Sequence, residues 1–169
     1  MTDHGIPAEL WHPTLAAMQA VFAADPDFIA HSLRVLDFSE QLLAHEPGDR
    51  AIVVLAALLH DIGIPEARRV HGSPAGIYQE REGPPIARRI LKDLPLAPAA
   101  QEHICRIIAN HHSARDIDTP EFRIIWDADW LVNLPDHRKF WPPEQVADKI
   151  AQIYKTPTGK KLARALYLS

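Results

Sequence analysis

Cysteine is almost missing from this sequence. Cys105 stands alone among 169 residues, which excludes a disulfide scaffold and a zinc site built on several thiolates. Long apolar runs are missing too. The longest, 51–59, has nine residues, where a membrane span needs about 20. Positive charge is not in excess: the net charge of −4 argues against a surface that coats nucleic acid, because neutralising phosphates needs a basic field. A nucleotide as a small substrate stays open. The opening residues Met1-Thr2-Asp3-His4 lack the basic and apolar regions of a signal peptide. A cytoplasmic protein is expected, with the lone thiol suited to a reducing compartment.

What is present is ordinary in bulk and unusual in two counts. Hydrophobic residues make up 47% and charged residues 24%, values of a folded globular chain rather than a disordered one. The length suits one domain, 1–169. Glycine numbers 7 against 15 prolines, and there are 10 histidines. The prolines say that many elements start or stop sharply. The histidines direct attention to metal or proton chemistry.

Apolar residues recur at helical spacing between the prolines. Helices are expected over about 8–24, 27–45 and 49–59, with Asp25 and Asp49 as caps. The run 51–59 is apolar all round, so its helix should be central and buried. A buried parallel strand is the rival reading of that run. Residues 65–76 read as a loop, with Gly72-Ser73-Pro74 as a turn. Further helices are expected from Pro84-Pro85 to about 94, over 99–110 and 120–134, from Pro142-Pro143 to 154, and from 157 to 168. The class is all-α, a single bundle of about seven or eight helices.

The sharpest local feature is His60-Asp61, an ionisable pair directly after the nine apolar residues. A carboxylate at the end of a core helix is costly unless it is paired or meets a cation. Histidine nitrogen and aspartate oxygen together suit Zn, Mn, Fe, Co or Ni. Others join it. His31 shares a helix face with Val35 and Phe38. His111-His112 closes an isoleucine-rich helix. Asp127 and Asp129 sit in Ile124-Ile125-Trp126-Asp127-Ala128-Asp129-Trp130-Leu131, although aspartate is a poor interior helix residue. Singly, each has a plainer reading: a helix end in water, a core histidine, a solvated stripe. In order they run His, His-Asp, His-His, Asp.

That series resembles the HD-domain superfamily of metal-dependent phosphohydrolases. The matching pieces are His31-Ser32-Leu33-Arg34-Val35, Leu58-Leu59-His60-Asp61-Ile62-Gly63, Ile107-Ile108-Ala109-Asn110-His111-His112 and Asp127-Ala128-Asp129-Trp130-Leu131-Val132-Asn133. They span roughly 25–135, leaving 136–169 as a helical C-terminal extension. The resemblance implies an all-α fold with His31, His60, Asp61 and Asp129 as metal ligands. Asp127, two residues before Asp129, would point elsewhere and support a ligand. The implied cofactor is a divalent ion (Mn, Fe, Co, Ni, Zn or Mg), one rather than two. Where two-metal members carry an additional histidine, this chain reads Gln79-Glu80-Arg81-Glu82-Gly83. Glu80 or Glu82 could substitute there. His111 and His112 would then hold a second ion, or act as general acid or phosphate contact.

Many members also carry a lysine after His-Asp-x-Gly, where it helps bind or protonate the leaving group. Here that position is Ile64. Arg34, at i+3 from His31, and Arg68 with Arg69 are candidate phosphate contacts. Trp130 could stack on a base, and 135–143, with Phe140 and Trp141, could cover the cleft. His4, His12, His45, His71, His103 and His137 read as surface or loop. The expected activity is hydrolysis of a phosphate ester of a nucleotide or other small phosphorylated metabolite by a metal-activated water. The alternatives are a di-iron oxygenase of the same superfamily and a non-catalytic binding module. No membrane partner is expected, and a homodimer is allowed for.

Overall fold

The computed structural model describes residues 2–168. The apolar run becomes the middle of the molecule as α3 (Arg50–Leu59). Asp49 starts it, its carboxylate accepting from the Ile52 amide at 3.1 Å, which satisfies a donor that has no partner inside the helix. Every side chain from Ile52 to Leu59 is buried. A helix without a polar face must be surrounded. Around it pack α1 (Ala8–Val21), α2 (Pro26–Leu43), α6 (Pro98–Ile108) and α7 (Pro120–His137). The helix reading of the run therefore holds over the strand reading.

The remaining elements complete the shell. α5 (Gly76–Leu91) pairs with α6 and with α4 (Ile64–His71). Beyond α7, two 3-10 turns, Arg138–Phe140 and Pro143–Gln145, lead to α8 (Val146–Ile153) and α9 (Pro157–Tyr167). α9 lies on α7 and α8. The only extended pairing among the described residues is β1 (Thr2–Asp3) against β2 (Ile6–Pro7), two residues each. The class is all-α, as expected. Among the described residues, no helix is long and apolar enough to cross a membrane.

Three stretches depart from the sequence expectation. The expected loop 65–76 contains α4, which brings the described helices to nine. Pro65 falls in its first turn, where a missing N–H costs nothing, and Gly72, with φ of 66°, ends it in the left-handed conformation. α5 begins at Gly76 and runs through Pro84 and Pro85 instead of starting there. The buried Gly83, Ala87 and Leu91 hold it against its neighbours across the prolines. α7 continues past Leu134 to His137, so His137 belongs to a helix and not to a loop. Asp25 does precede α2, but its side chain makes no cap bond; it pairs with Arg68 at 3.6 Å.

One close approach fixes how α5 stands against the end of α3. A Cβ added to Gly63 would lie 2.6 Å from the Gly83 amide nitrogen and 2.7 Å from the Gln79 carbonyl oxygen. Both are backbone atoms and cannot step aside. Gly63→Ala is therefore expected to destabilise the fold by about 1–3 kcal/mol, the usual cost of overpacking. Urea denaturation would read this as a lower midpoint, and an unchanged midpoint would show that the two segments separate freely.

Candidate metal centre

Four helices deliver ionisable side chains to one point. His31 stands in the second turn of α2, His60 and Asp61 close α3, His111 and His112 follow α6, and Asp129 sits in the middle of α7. His31 Nε2 is 3.2 Å from His60 Nε2, 3.1 Å from Asp129 Oδ1 and 3.4 Å from Asp61 Oδ2. His60 Nε2 lies 3.3 Å from Asp61 Oδ2 and 3.6 Å from Asp129 Oδ1. His111 Nε2 reaches the other oxygen of Asp61, Oδ1, at 3.3 Å. The structure thus brings together all four expected ligands, with both members of the His-His pair close by. Their donor atoms form two groups, each within 4.8 Å: His31, His60 and Asp129, and Asp61, His111 and His112.

Backbone geometry decides which nitrogens face inward. His60 Nδ1 donates to the Ala57 carbonyl at 2.8 Å, and His111 Nδ1 to the Ile108 carbonyl at 2.7 Å. A carbonyl only accepts, so Nδ1 carries a proton, and Nε2 is the nitrogen that each ring turns to the cluster and the one that would donate to a metal. Each bond spans three residues at a helix end, where carbonyls have no amide partner. Asn133, one turn after Asp129, donates to Asp129 Oδ1 at 2.7 Å and orients that carboxylate.

The charges are deeply buried. His60 is fully enclosed, and Asp61, Asp129 and His111 are buried. Burial alone would raise the pKa of Asp61, but His60 and His111 outweigh it and hold the carboxyl well below its ordinary range. Asp129 is pushed the same way against its burial by His31 and His60. Burial would lower His60, yet Asp61 and Asp129 hold it well above the usual imidazole value. Such a cluster calls for positive charge at its centre. Mixed imidazole nitrogens and carboxylate oxygens fit a divalent transition ion, which would take the place of the proton on Nε2.

The cluster forms the floor of a cleft of about 350 Å³, whose walls include Phe28, Ile64, Gln79, Asn133 and His137, with Asp27 and His112 also lining it. A smaller cavity of about 120 Å³ adjoins it, lined by His111, Trp130, Asn133 and His137 among others. Asp27, Phe28, Gln79, Asn133 and His137 line the cleft without having been expected there from the sequence. Gln79 accepts from His112 Nε2 at 3.1 Å and donates to the Pro74 carbonyl at 2.7 Å. Asn133 and His137 follow Asp129 at i+4 and i+8, a spacing that could have shown them on the same face of α7.

Other expected site residues are engaged elsewhere. Glu82 accepts from His71 at 2.8 Å and also pairs with Arg81, so it does not stand in for the absent histidine. Glu80 caps the turn after α6, accepting from the His112 and Ser113 amides. Arg34 is exposed and does not line the cleft. Arg68 lies over the Phe28 ring at 5.1 Å and pairs with Asp25, which leaves it behind a cleft wall. His71 stacks on Tyr78 in a helix end and is no loop histidine.

Asp127 does not support a ligand. Its carboxylate accepts from the Lys155 amide at 2.7 Å, the Thr156 amide at 2.8 Å and the Thr156 hydroxyl at 2.6 Å. It ties the segment between α8 and α9 to α7. Burial pushes its pKa up to about 6, against the pull of those three bonds.

A model of the HD domain family matches residues 28–134 of the sequence. Among solved structures, the fold is similar to the crystal structure, at 1.45 Å, of a predicted HD superfamily hydrolase from an uncultured Thermotogales bacterium. The TM-score is 0.70 and the identity 24%, over 94% of this chain and 85% of that one. No curated protein matches the sequence.

Removing the Asp127 carboxylate would leave buried donors at Lys155 and Thr156 unpaired. Asp127→Ala is expected to destabilise the protein by at least about 1–3 kcal/mol, the cost of one such group. Limited proteolysis should then cut readily between residues 138 and 157, and wild-type resistance in the variant would contradict the anchoring role.

Proposed function

The chain belongs to the HD domain family, and from that membership we propose that it is a metal-dependent phosphohydrolase. The proposed substrate is a phosphate ester of a nucleotide or another small phosphorylated metabolite, cleaved by water. One observation carries the reading: His31 and His60 turn Nε2 toward each other and toward Asp61 and Asp129 at the floor of a cleft. His31, His60, Asp61 and Asp129 are the proposed ligands. A divalent ion in such a site lowers the pKa of water from about 16 toward 7 and draws charge from a phosphoryl oxygen.

The chain's own groups have definite tasks in this proposal. The Ala57 and Ile108 carbonyls hold the His60 and His111 rings in one tautomer and one orientation. Asn133 fixes the rotamer of Asp129. Phe28 and Ile64 give the cleft an apolar wall, against which an ester's carbon skeleton would rest.

A second reading has its own support. Asp61 turns Oδ2 toward His31 and His60 and Oδ1 toward His111. A carboxylate with one oxygen on each side could bridge two ions, the second held with His111 and His112. An oxygenase would use two irons in that arrangement.

Elemental analysis of the purified protein, with assays on nucleotides and simple phosphate esters, separates these readings. Near one equivalent of metal with esterase activity is expected; two equivalents favour the bridged site, and two irons without esterase activity the oxygenase. Asp61→Ala is expected to lose both metal and activity, and retention of both would refute the ligand assignment. Asn133→Ala should weaken metal affinity by about 10–100-fold, as removal of a ligand's orienting partner usually does. A divalent ion at a hundred times its dissociation constant should stabilise the wild type by about 2.7 kcal/mol, seen as a higher melting temperature.

A further inference from the structure

We propose that His137 is a catalytic residue of this cleft, the acid that protonates the leaving oxygen of the phosphate ester. The inference rests on the phosphohydrolase reading and assigns a group that reading lacks. An alkyl ester departs as a strongly basic alkoxide unless a proton reaches it in the transition state, so a donor must stand beside the leaving oxygen. No lysine or arginine lines the main cleft or its smaller neighbour. Ile64, on the wall, carries no proton to give, and Arg68 is held over Phe28 and against Asp25.

The lining histidines are then the candidates, and all but one are committed. His31 Nε2 faces His60, Asp61 and Asp129. His111 uses both nitrogens, one on the Ile108 carbonyl and one on Asp61. His112 turns Nε2 to Gln79 and belongs with Asp61 and His111 in a ligand group. His137 is in neither ligand group. Its imidazole makes no hydrogen bond to a described residue; it rests against the Trp130 ring at 4.9 Å.

Position agrees with the role. Asp129, Asn133 and His137 line both cavities, at successive i+4 steps on one face of α7. Eight residues rise about 12 Å along a helix. The exposed His137 ring lies against Trp130, the neighbour of Asp129, so it leans toward the N-terminal end of α7 as helical side chains do. In the proposed pose a phosphoryl group sits over the cluster and the alcohol extends along the Asn133–His137 face, with the ester oxygen toward the imidazole.

The step balances. The water oxygen bonds to phosphorus, and the bond from phosphorus to the alcohol oxygen breaks with its electron pair on that oxygen. The imidazolium proton of His137 passes to it, giving a neutral alcohol. The proton lost by the water returns through solvent to the neutral imidazole.

The test compares two esters on the metal-loaded full chain. Glycerol 2-phosphate needs a proton donor; p-nitrophenyl phosphate, whose phenol is acidic, scarcely does. His137→Ala and His137→Gln should lower kcat on glycerol 2-phosphate by about 10²–10⁴-fold and on p-nitrophenyl phosphate by less than about tenfold. Both variants should keep wild-type metal content and circular dichroism. Inorganic phosphate should shift the His137 ring resonances of the wild type in 1H–15N spectra. Equal losses on both esters, no loss on either, loss of metal, or ring resonances indifferent to phosphate would overturn the assignment. A wild type inactive on both esters would overturn the phosphohydrolase reading and this assignment with it, a result distinct from an active wild type with unaffected variants.

Discussion

Two buried carboxylates share one histidine. Asp61, at the end of the apolar α3, and Asp129, in the middle of α7, each have an oxygen within 3.4 Å of His31 Nε2. Ionised groups in such a place are tolerated only when opposite charge and hydrogen bonds surround them. The other helices meet that constraint together. α2 brings His31, α3 brings His60 and Asp61, the end of α6 brings His111, and α7 brings Asp129. No single element could satisfy the two aspartates, so the packing of the helices and the charge balance of the cluster are one problem. A divalent cation suits the same place because it meets the demand that the imidazoles meet in its absence.

The cluster depends in turn on helix ends. His60 and His111 each follow a helix whose final carbonyls need donors, and each ring supplies one through Nδ1. The same bond fixes the tautomer and aims Nε2 inward. Gly63, two residues after Asp61, lets α5 approach with its backbone, and α5 carries Gln79 to the cleft. On the far side Asp127 holds the C-terminal helices against α7. Neighbouring aspartates on one helix therefore serve different ends: Asp129 faces the cluster, and Asp127 faces the segment between α8 and α9.

The cleft is also defined by where positive charge is not. The arginines near it are satisfied elsewhere, Arg68 on Asp25 and Arg69 on Glu66. Any anion drawn into the cleft must be met by the floor of the cluster and by histidine. This sets the chemistry apart from a site in which a lysine or arginine clamps the phosphate from the wall.

The sequence alone determined the helical class, the burial of 51–59 and the ordered series from His31 to Asp129. These follow from periodicity, from the cost of ionisable residues in apolar runs, and from motif spacing, all of which are local. Helix ends near proline were less legible. α4 and the first half of α5 were hidden because their stability comes from contacts such as Gly63 on Gly83, which outweigh local propensity. Side-chain partners were the least legible. Only the folded chain decided that Glu82 pairs with His71, that Gln79 and not a glutamate faces the cleft, and that Asp127 is an anchor. His137 is exposed, as expected, but the extra turn of α7 places it on the cleft wall. A hydrogen bond between residues far apart in sequence depends on the packing of whole helices, and no window of sequence contains that geometry.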